Sequence, residues 1–163
     1  MGVSVAIVAA IQLAAALAAG VVAGVFFAFS TFVMPALVRL PPAQGVAAMQ
    51  AINVAAINRW FLGVLLGCAV ACLGLIVAAL LAWPEPGAGL RMLGAAAYLL
   101  GTLGVTIACN VPRNDALAPL AADSGEALAL WPVYLREWTA WNHVRTFASL
   151  AAAAALVLGL LRG

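Results

Sequence analysis

The sequence predicts an all-α fold: a transmembrane four-helix bundle with a short interfacial helix between spans 1 and 2 and a long N-terminal extension of span 4. Three observations carry this reading. Of 163 residues, 67% are apolar and 7% are charged, where a soluble domain carries roughly 25% charged residues. Four apolar stretches, over about residues 4–37, 60–82, 90–109 and 140–161, each reach the roughly 20 residues that a span requires. The stretch between the first two opens on Pro41-Pro42 and is too mixed to cross a bilayer. One domain over residues 1–163 is expected.

The first stretch has Gln12 as its one strongly polar side chain, and Gly20 and Gly24 form a G-x-x-x-G that predicts a close helix contact. Pro35 lies near its end, and Pro41-Pro42 stop it. Pro42 then suits the first turn of a short helix to about Ile57. Its Gln50 and Asn53 are three apart and share a face, so it reads as a lid across the end of the bundle. Asn58-Arg59-Trp60 opens the second span. There Gly63 and Gly67 repeat the small-residue device, and Cys68 and Cys72 share a face. A turn over Pro84-Glu85-Pro86-Gly87 leads to the third span. Pro112 predicts its end, because proline has no N–H to continue the ladder, and a loop or broken helix to Ala122 follows. Asp123 and Glu126 have capping spacing and start a helical turn near Ser124. From Pro132 the pattern runs as one helix to Leu161, longer than the bilayer is thick, so its first turns stand at or beyond the headgroups.

The net charge of +2 comes from arginine without lysine and forms no basic patch, which argues against a nucleic-acid partner. Three cysteines in apolar segments do not make a disulfide framework. Met1 to Ala19 has no basic start and runs on past a signal's apolar core, so a retained first span is expected. The alanine-rich style points to a bacterial inner membrane. Arg39, Arg59, Arg113, Arg136 and Arg145 fall on one side, Arg91 and Arg162 on the other.

Three spans deliver polar groups to one end: Asn58 and Arg59; Asn110, Arg113 and Asn114; then Asn142, His143 and Arg145. Ionisable groups at a membrane segment are functional candidates. On a helical wheel Trp138, Asn142, Arg145 and Ser149 share an arc of about 60°, with Tyr134 and Trp141 at its edge. His143 lies about 100° from Asn142 and about 160° from Arg145. His143 and Arg145 therefore cannot both point straight at one central cavity. Either His143 faces a neighbouring helix, or the pocket is off-axis. A single histidine is a poor basis for haem or zinc, so neither metal nor cofactor is expected.

Two motifs, N-x-P-x-N-x-x-L (Asn110, Pro112, Asn114, Leu117) and W-x-x-W-N-x-x-R-T (Trp138, Trp141, Asn142, Arg145, Thr146), resemble the anthrone-oxygenase-like family of small four-helix membrane proteins. The run G-V-F-F-A-F-S-x-F-V-M-P-A-L, Gly24 to Leu37, is similar to that family's first span. The resemblance implies a cofactor-free oxygenase that turns a flat phenolic or anthrone into a quinone with O2. That chemistry needs a base, for which His143 is the candidate by the usual pKa of an imidazole, about 6.5, and oxyanion donors, for which Arg145 and Asn142 are the candidates. Trp138, Trp141 and Tyr134 would sandwich the aromatic, with Asn110, Asn114 and Arg59 at the rim. The rival expectation is a non-enzymatic membrane protein, with or without a homo-oligomer, that binds a lipid, quinone or small anion or serves a transporter or complex. No second half repeats the first, as it does in many secondary transporters.

Overall fold

The structure is a computed structural model that describes residues 2–162, with side chains from Val5 onward. Four apolar rods, Val5–Val38, Arg59–Leu81, Ala88–Leu117 and Gly125–Leu160, are long enough to cross a membrane. No strand occurs among the described residues. Lipid-facing backbone has to satisfy its own polar groups, and helices do so within each segment. The chain is an integral membrane protein built as an all-α bundle.

The first rod comprises α1 (Gly2–Ala28), a π-helical turn (Phe29–Val33) and α2 (Met34–Val38). It turns at Arg39 and Leu40, and Pro42 opens the lid helix α3 (Pro42–Ala56), as expected from proline at a first turn. Asn58 caps α4 (Arg59–Leu81): its Oδ1 accepts from the backbone N–H groups of Trp60 and Phe61, each at 3.0 Å. The third rod is α5 (Ala88–Ala96), π-helical turns over Ala97–Gly104 and Thr106–Asn110, and α6 (Val111–Leu117). Ser124 caps α7 (Gly125–Leu160) by accepting from the Ala127 N–H at 3.2 Å. The rods close a ring, α1 against α4, α4 against α5, α5 against α7 and α7 against α1.

Three local expectations are corrected. The last helix does not begin at Pro132 but at Gly125, and it carries Pro132 inside it. The third rod does not end at Pro112 but runs on to Leu117. Pro112 stands in the first turn of α6, immediately after a π-helical turn, where its missing N–H is tolerated. The G-x-x-x-G pairs are not seams within the chain either. Gly20, Gly24, Gly63 and Gly67 are exposed, and a Cβ on any of them would meet nothing within 4 Å. The close approaches fall at Gly94, Gly101 and Gly159 against the neighbouring rods, and at Gly45 of the lid against Trp131.

Two hydrophobic clusters fill the interior. One, around Ala19, Val22, Leu75, Tyr98 and Leu156, sits in the middle of the ring. The other joins Met34, Leu37, Val46, Met49 and Leu117 to Trp131, Tyr134 and Trp138, under the lid. Gln50 pins the lid by donating from Nε2 to the carbonyls of Leu117 and Leu120, each at 2.9 Å. At the far end the Arg91 Nε donates to the Gln12 Oε1 at 2.7 Å, and the Gln12 Nε2 donates to the Leu156 carbonyl at 2.8 Å.

Candidate functional site

A buried polar cluster lies between the two hydrophobic clusters. α7 supplies Arg145, 4% exposed, and Asn142, fully buried, three residues apart on its inner face. The Arg145 Nη2 donates to the Asn142 Oδ1 at 2.7 Å, and its Nη1 reaches the Thr106 Oγ1 at 3.4 Å. The guanidinium carbon stands 4.1 Å from the centre of the Phe26 ring and 5.0 Å from that of Trp138. A guanidinium held between aromatic rings gains a cation–π attraction that grows when water is excluded.

Asn142 is in turn fixed from the first rod. Its Nδ2 donates to the Phe26 carbonyl and to the Ser30 Oγ, both at 2.7 Å. Ser30 belongs to the π-helical turn, and π-turns are frequent at functional sites. The third rod contributes Thr106 and Asn110 from its second π-helical turn. The Asn110 Nδ2 donates to the Trp138 carbonyl at 3.1 Å. One turn further out, the Asn114 Oδ1 accepts from the Tyr134 hydroxyl and from the Trp138 Nε1, each at 2.8 Å. Asn53 of the lid donates to the same Tyr134 hydroxyl at 3.4 Å. Trp131, Tyr134 and Trp138 form a ladder of near-parallel rings with centres 5.5 and 6.4 Å apart. Below Asn114, Arg113 and Glu137 form a half-exposed ion pair at 2.8 Å.

Two buried atoms in the cluster have no hydrogen-bond partner: the Arg145 Nε and the Asn110 Oδ1. Among the described residues no carboxylate comes within 4.0 Å of Arg145, and the ion pairs are Arg113 and Arg136 with Glu137. Buried charges are normally paired, since the burial of an ion costs several kcal/mol. Arg145 is a donor-rich cation without a counter-charge in a dry setting.

The structure thus brings together Arg145, Asn142, Asn110, Asn114, Tyr134 and Trp138. It does not bring His143, Trp141 or Arg59 to them. His143 is exposed on the outer face of α7, as its wheel position allows. It lines an open groove of about 520 Å³ with Met34, Pro35, Thr139 and Ala140. Trp141 is 37% exposed and faces outward, at the level expected for an aromatic belt. Arg59 is exposed and lies over its neighbour Trp60 at 4.9 Å. Sequence reasoning missed Phe26, Ser30 and Thr106 as parts of the cluster. Phe26 and Ser30 lie in the run Gly24 to Leu37, but nothing in that run distinguishes inward from outward residues. Among the described residues no three His, Cys, Asp or Glu side chains gather to hold a metal ion.

Fold and cluster together define a four-helix integral membrane protein with a buried, uncompensated guanidinium near one end of the bundle. Residues 56–155 match the Anthrone oxygenase family, and the chain belongs to that family. The matched stretch includes Asn110, Asn114, Tyr134, Trp138, Asn142 and Arg145, and leaves out Phe26 and Ser30. Comparison with curated proteins and with solved structures returned no match.

Proposed function

We propose that this protein is a cofactor-free oxygenase of a bacterial inner membrane that oxidises a flat anthrone-type phenolic with O2. One observation carries the reading: Arg145 is a buried cation with a spare donor and no counter-charge. An anthrone supplies the missing charge when it loses a proton from its CH2 carbon and its carbonyl oxygen becomes an enolate oxyanion. A cation 4 Å from that oxygen stabilises it by about 4 kcal/mol at an effective dielectric of 20. That makes the anthrone CH2 about a thousandfold stronger as an acid.

The enolate then passes one electron to O2, and the two radicals join to form a C–O bond. Loss of water from the resulting peroxide leaves a second carbonyl, so CH2 and O2 become C=O and H2O. In this reading Arg145 and Asn142 hold the developing oxyanion, an interaction worth about 3 kcal/mol per donor in other enzymes. Trp138, Tyr134 and Phe26 hold the flat rings, and Asn110 and Asn114 hold the phenolic rim. The CH2 proton passes to water as the substrate enters, because no carboxylate or imidazole of the described residues stands at the cluster. His143, on the other face of α7, takes no part at the cluster.

Oxygen uptake by the purified protein with 1,8-dihydroxyanthrone tests this. The expected result is uptake that falls at least 100-fold in Arg145→Gln and stays within threefold in Arg162→Gln, an exposed arginine at the other end of the last rod. Absence of uptake removes the substrate class. Full activity of Arg145→Gln removes the site.

A further inference from the structure

The cluster is sealed: Arg145, Asn142, Asn110, Trp138 and Tyr134 are each no more than 4% exposed. Any ligand of Arg145 has to cross a wall, and one wall differs from the rest. Met34 is 1% exposed, packs in the same cluster as Tyr134 and Trp138, and also lines the outer groove. Met34 on the first rod, with Leu135 on the last, therefore borders both the groove and the hydrophobic cluster that holds the aromatic ladder. Methionine is unbranched, with three rotatable bonds, and adapts its shape readily. The backbone at Met34 is also the irregular part of the first rod. The π-helical turn Phe29–Val33 precedes it, and Pro35, which cannot donate a helical hydrogen bond, follows it.

The groove has the build of a small-molecule site. Its volume of about 520 Å³ lies within the range of roughly 300–1,000 Å³ for ligand pockets. Met34, Pro35, Val38, Pro132, Leu135 and Ala140 make it mostly apolar, and Arg136, Thr139 and His143 place a few polar groups in it. It opens sideways between the first and last rods at the headgroup end of the bundle, where phenolics with a polar hydroxyl gather at a bilayer surface.

We infer that this groove is the docking vestibule for a flat, membrane-dissolved phenolic, and that Met34 is the movable wall between it and the Arg145 cluster. The phenolic's rings lie on the prolines and Leu135, and its hydroxyl meets Thr139 and His143. The choice of occupant rests on the proposed function, because the vestibule borders the cluster that holds the site assigned there. His143 is on this view a docking group of the outer chamber.

The test uses the full chain in lipid nanodiscs and 1,8-dihydroxyanthraquinone, a flat phenolic that O2 does not consume. Binding is read as saturable quenching of tryptophan fluorescence, alongside turnover of 1,8-dihydroxyanthrone. Ala140→Phe and Val38→Phe fill the groove from opposite walls, at exposed positions that leave the core untouched. Both are expected to weaken the probe at least tenfold and to raise KM with kcat unchanged. Arg145→Gln is expected to hold the probe within threefold while turnover is lost. Unchanged Kd and KM in both groove variants, or absence of saturable quenching in the natural chain, overturns the vestibule. Saturable, groove-dependent binding without turnover upholds the vestibule and removes the oxygenase reading instead.

Discussion

Asn114 shows how much of the site depends on single atoms. Its Oδ1 is the acceptor for both the Tyr134 hydroxyl and the Trp138 Nε1. Tyr134 and Trp138 are 2% and 4% exposed, so both donors depend on that oxygen in the folded protein. A buried donor left without a partner costs about 1–3 kcal/mol. Asn114→Ala is therefore expected to destabilise the protein by about 2–6 kcal/mol, while Asn114→Asp, which keeps an acceptor oxygen at that place, retains the fold. Thermal unfolding in mild detergent distinguishes them. Equal melting of the alanine variant and the natural chain means that the ring ladder is set by packing alone. This one atom also holds Trp138 in the orientation that faces Arg145. Trp138, Asn142 and Arg145 could be grouped from sequence because they recur on one arc of a helix. The partners that fix them could not, because Phe26, Ser30 and Thr106 come from other rods, and periodicity within one helix says nothing about rotation of its neighbours.

At the level of elements, the four rods and the lid follow from length, hydropathy and proline placement alone. Their contacts do not. G-x-x-x-G at Gly20/Gly24 and Gly63/Gly67 marks places where a backbone can come close, yet lipid offers no hydrophobic drive that obliges it to. The rods instead approach at glycines without that spacing. A Cβ at Gly94 would stand 2.9 Å from the Leu156 Cγ and 3.0 Å from the Ala152 carbonyl oxygen, and one at Gly101 would stand 2.5 Å from the Ala148 Cβ. Overpacking of this kind costs about 1–3 kcal/mol. Gly94→Ala and Gly101→Ala are expected to lower the unfolding midpoint by that amount. Gly20→Ala, in open space, gains up to about 1 kcal/mol of helix propensity and is expected to be neutral or stabilising. The reverse order of melting temperatures contradicts the rotation assigned to these rods. The continuation of the third rod past Pro112 was hidden for a related reason: no residue pattern announces that a π-helical turn will absorb the proline.

For the whole molecule, the chemistry proposed for Arg145 depends on its depth in the bilayer. α7 has 36 residues and a length of about 54 Å, against a hydrocarbon core of roughly 30 Å. With its last turn at the far interface, the core reaches up to about Trp141, and the preceding four turns stand at or above the headgroups with the lid packed on them. Asn142 and Arg145 then lie just inside the hydrocarbon, below a belt that contains Trp141. Depth decides the magnitude, because a cation and an oxyanion 4 Å apart attract by about 4 kcal/mol at a dielectric of 20 but by about 1 kcal/mol in water. Single cysteines at outward positions of α7 measure this directly. In a Cys109→Ala background, which removes the partly exposed native thiol, Ala129→Cys is expected to react with a membrane-impermeant maleimide in proteoliposomes opened to both sides. Val144→Cys and Ala154→Cys, both exposed in the bundle but within the hydrocarbon, are expected to stay unlabelled until detergent is added. If Val144→Cys labels as fast as Ala129→Cys, Arg145 is level with water, its attraction for an enolate falls to about 1 kcal/mol, and the guanidinium no longer suffices to ionise an anthrone.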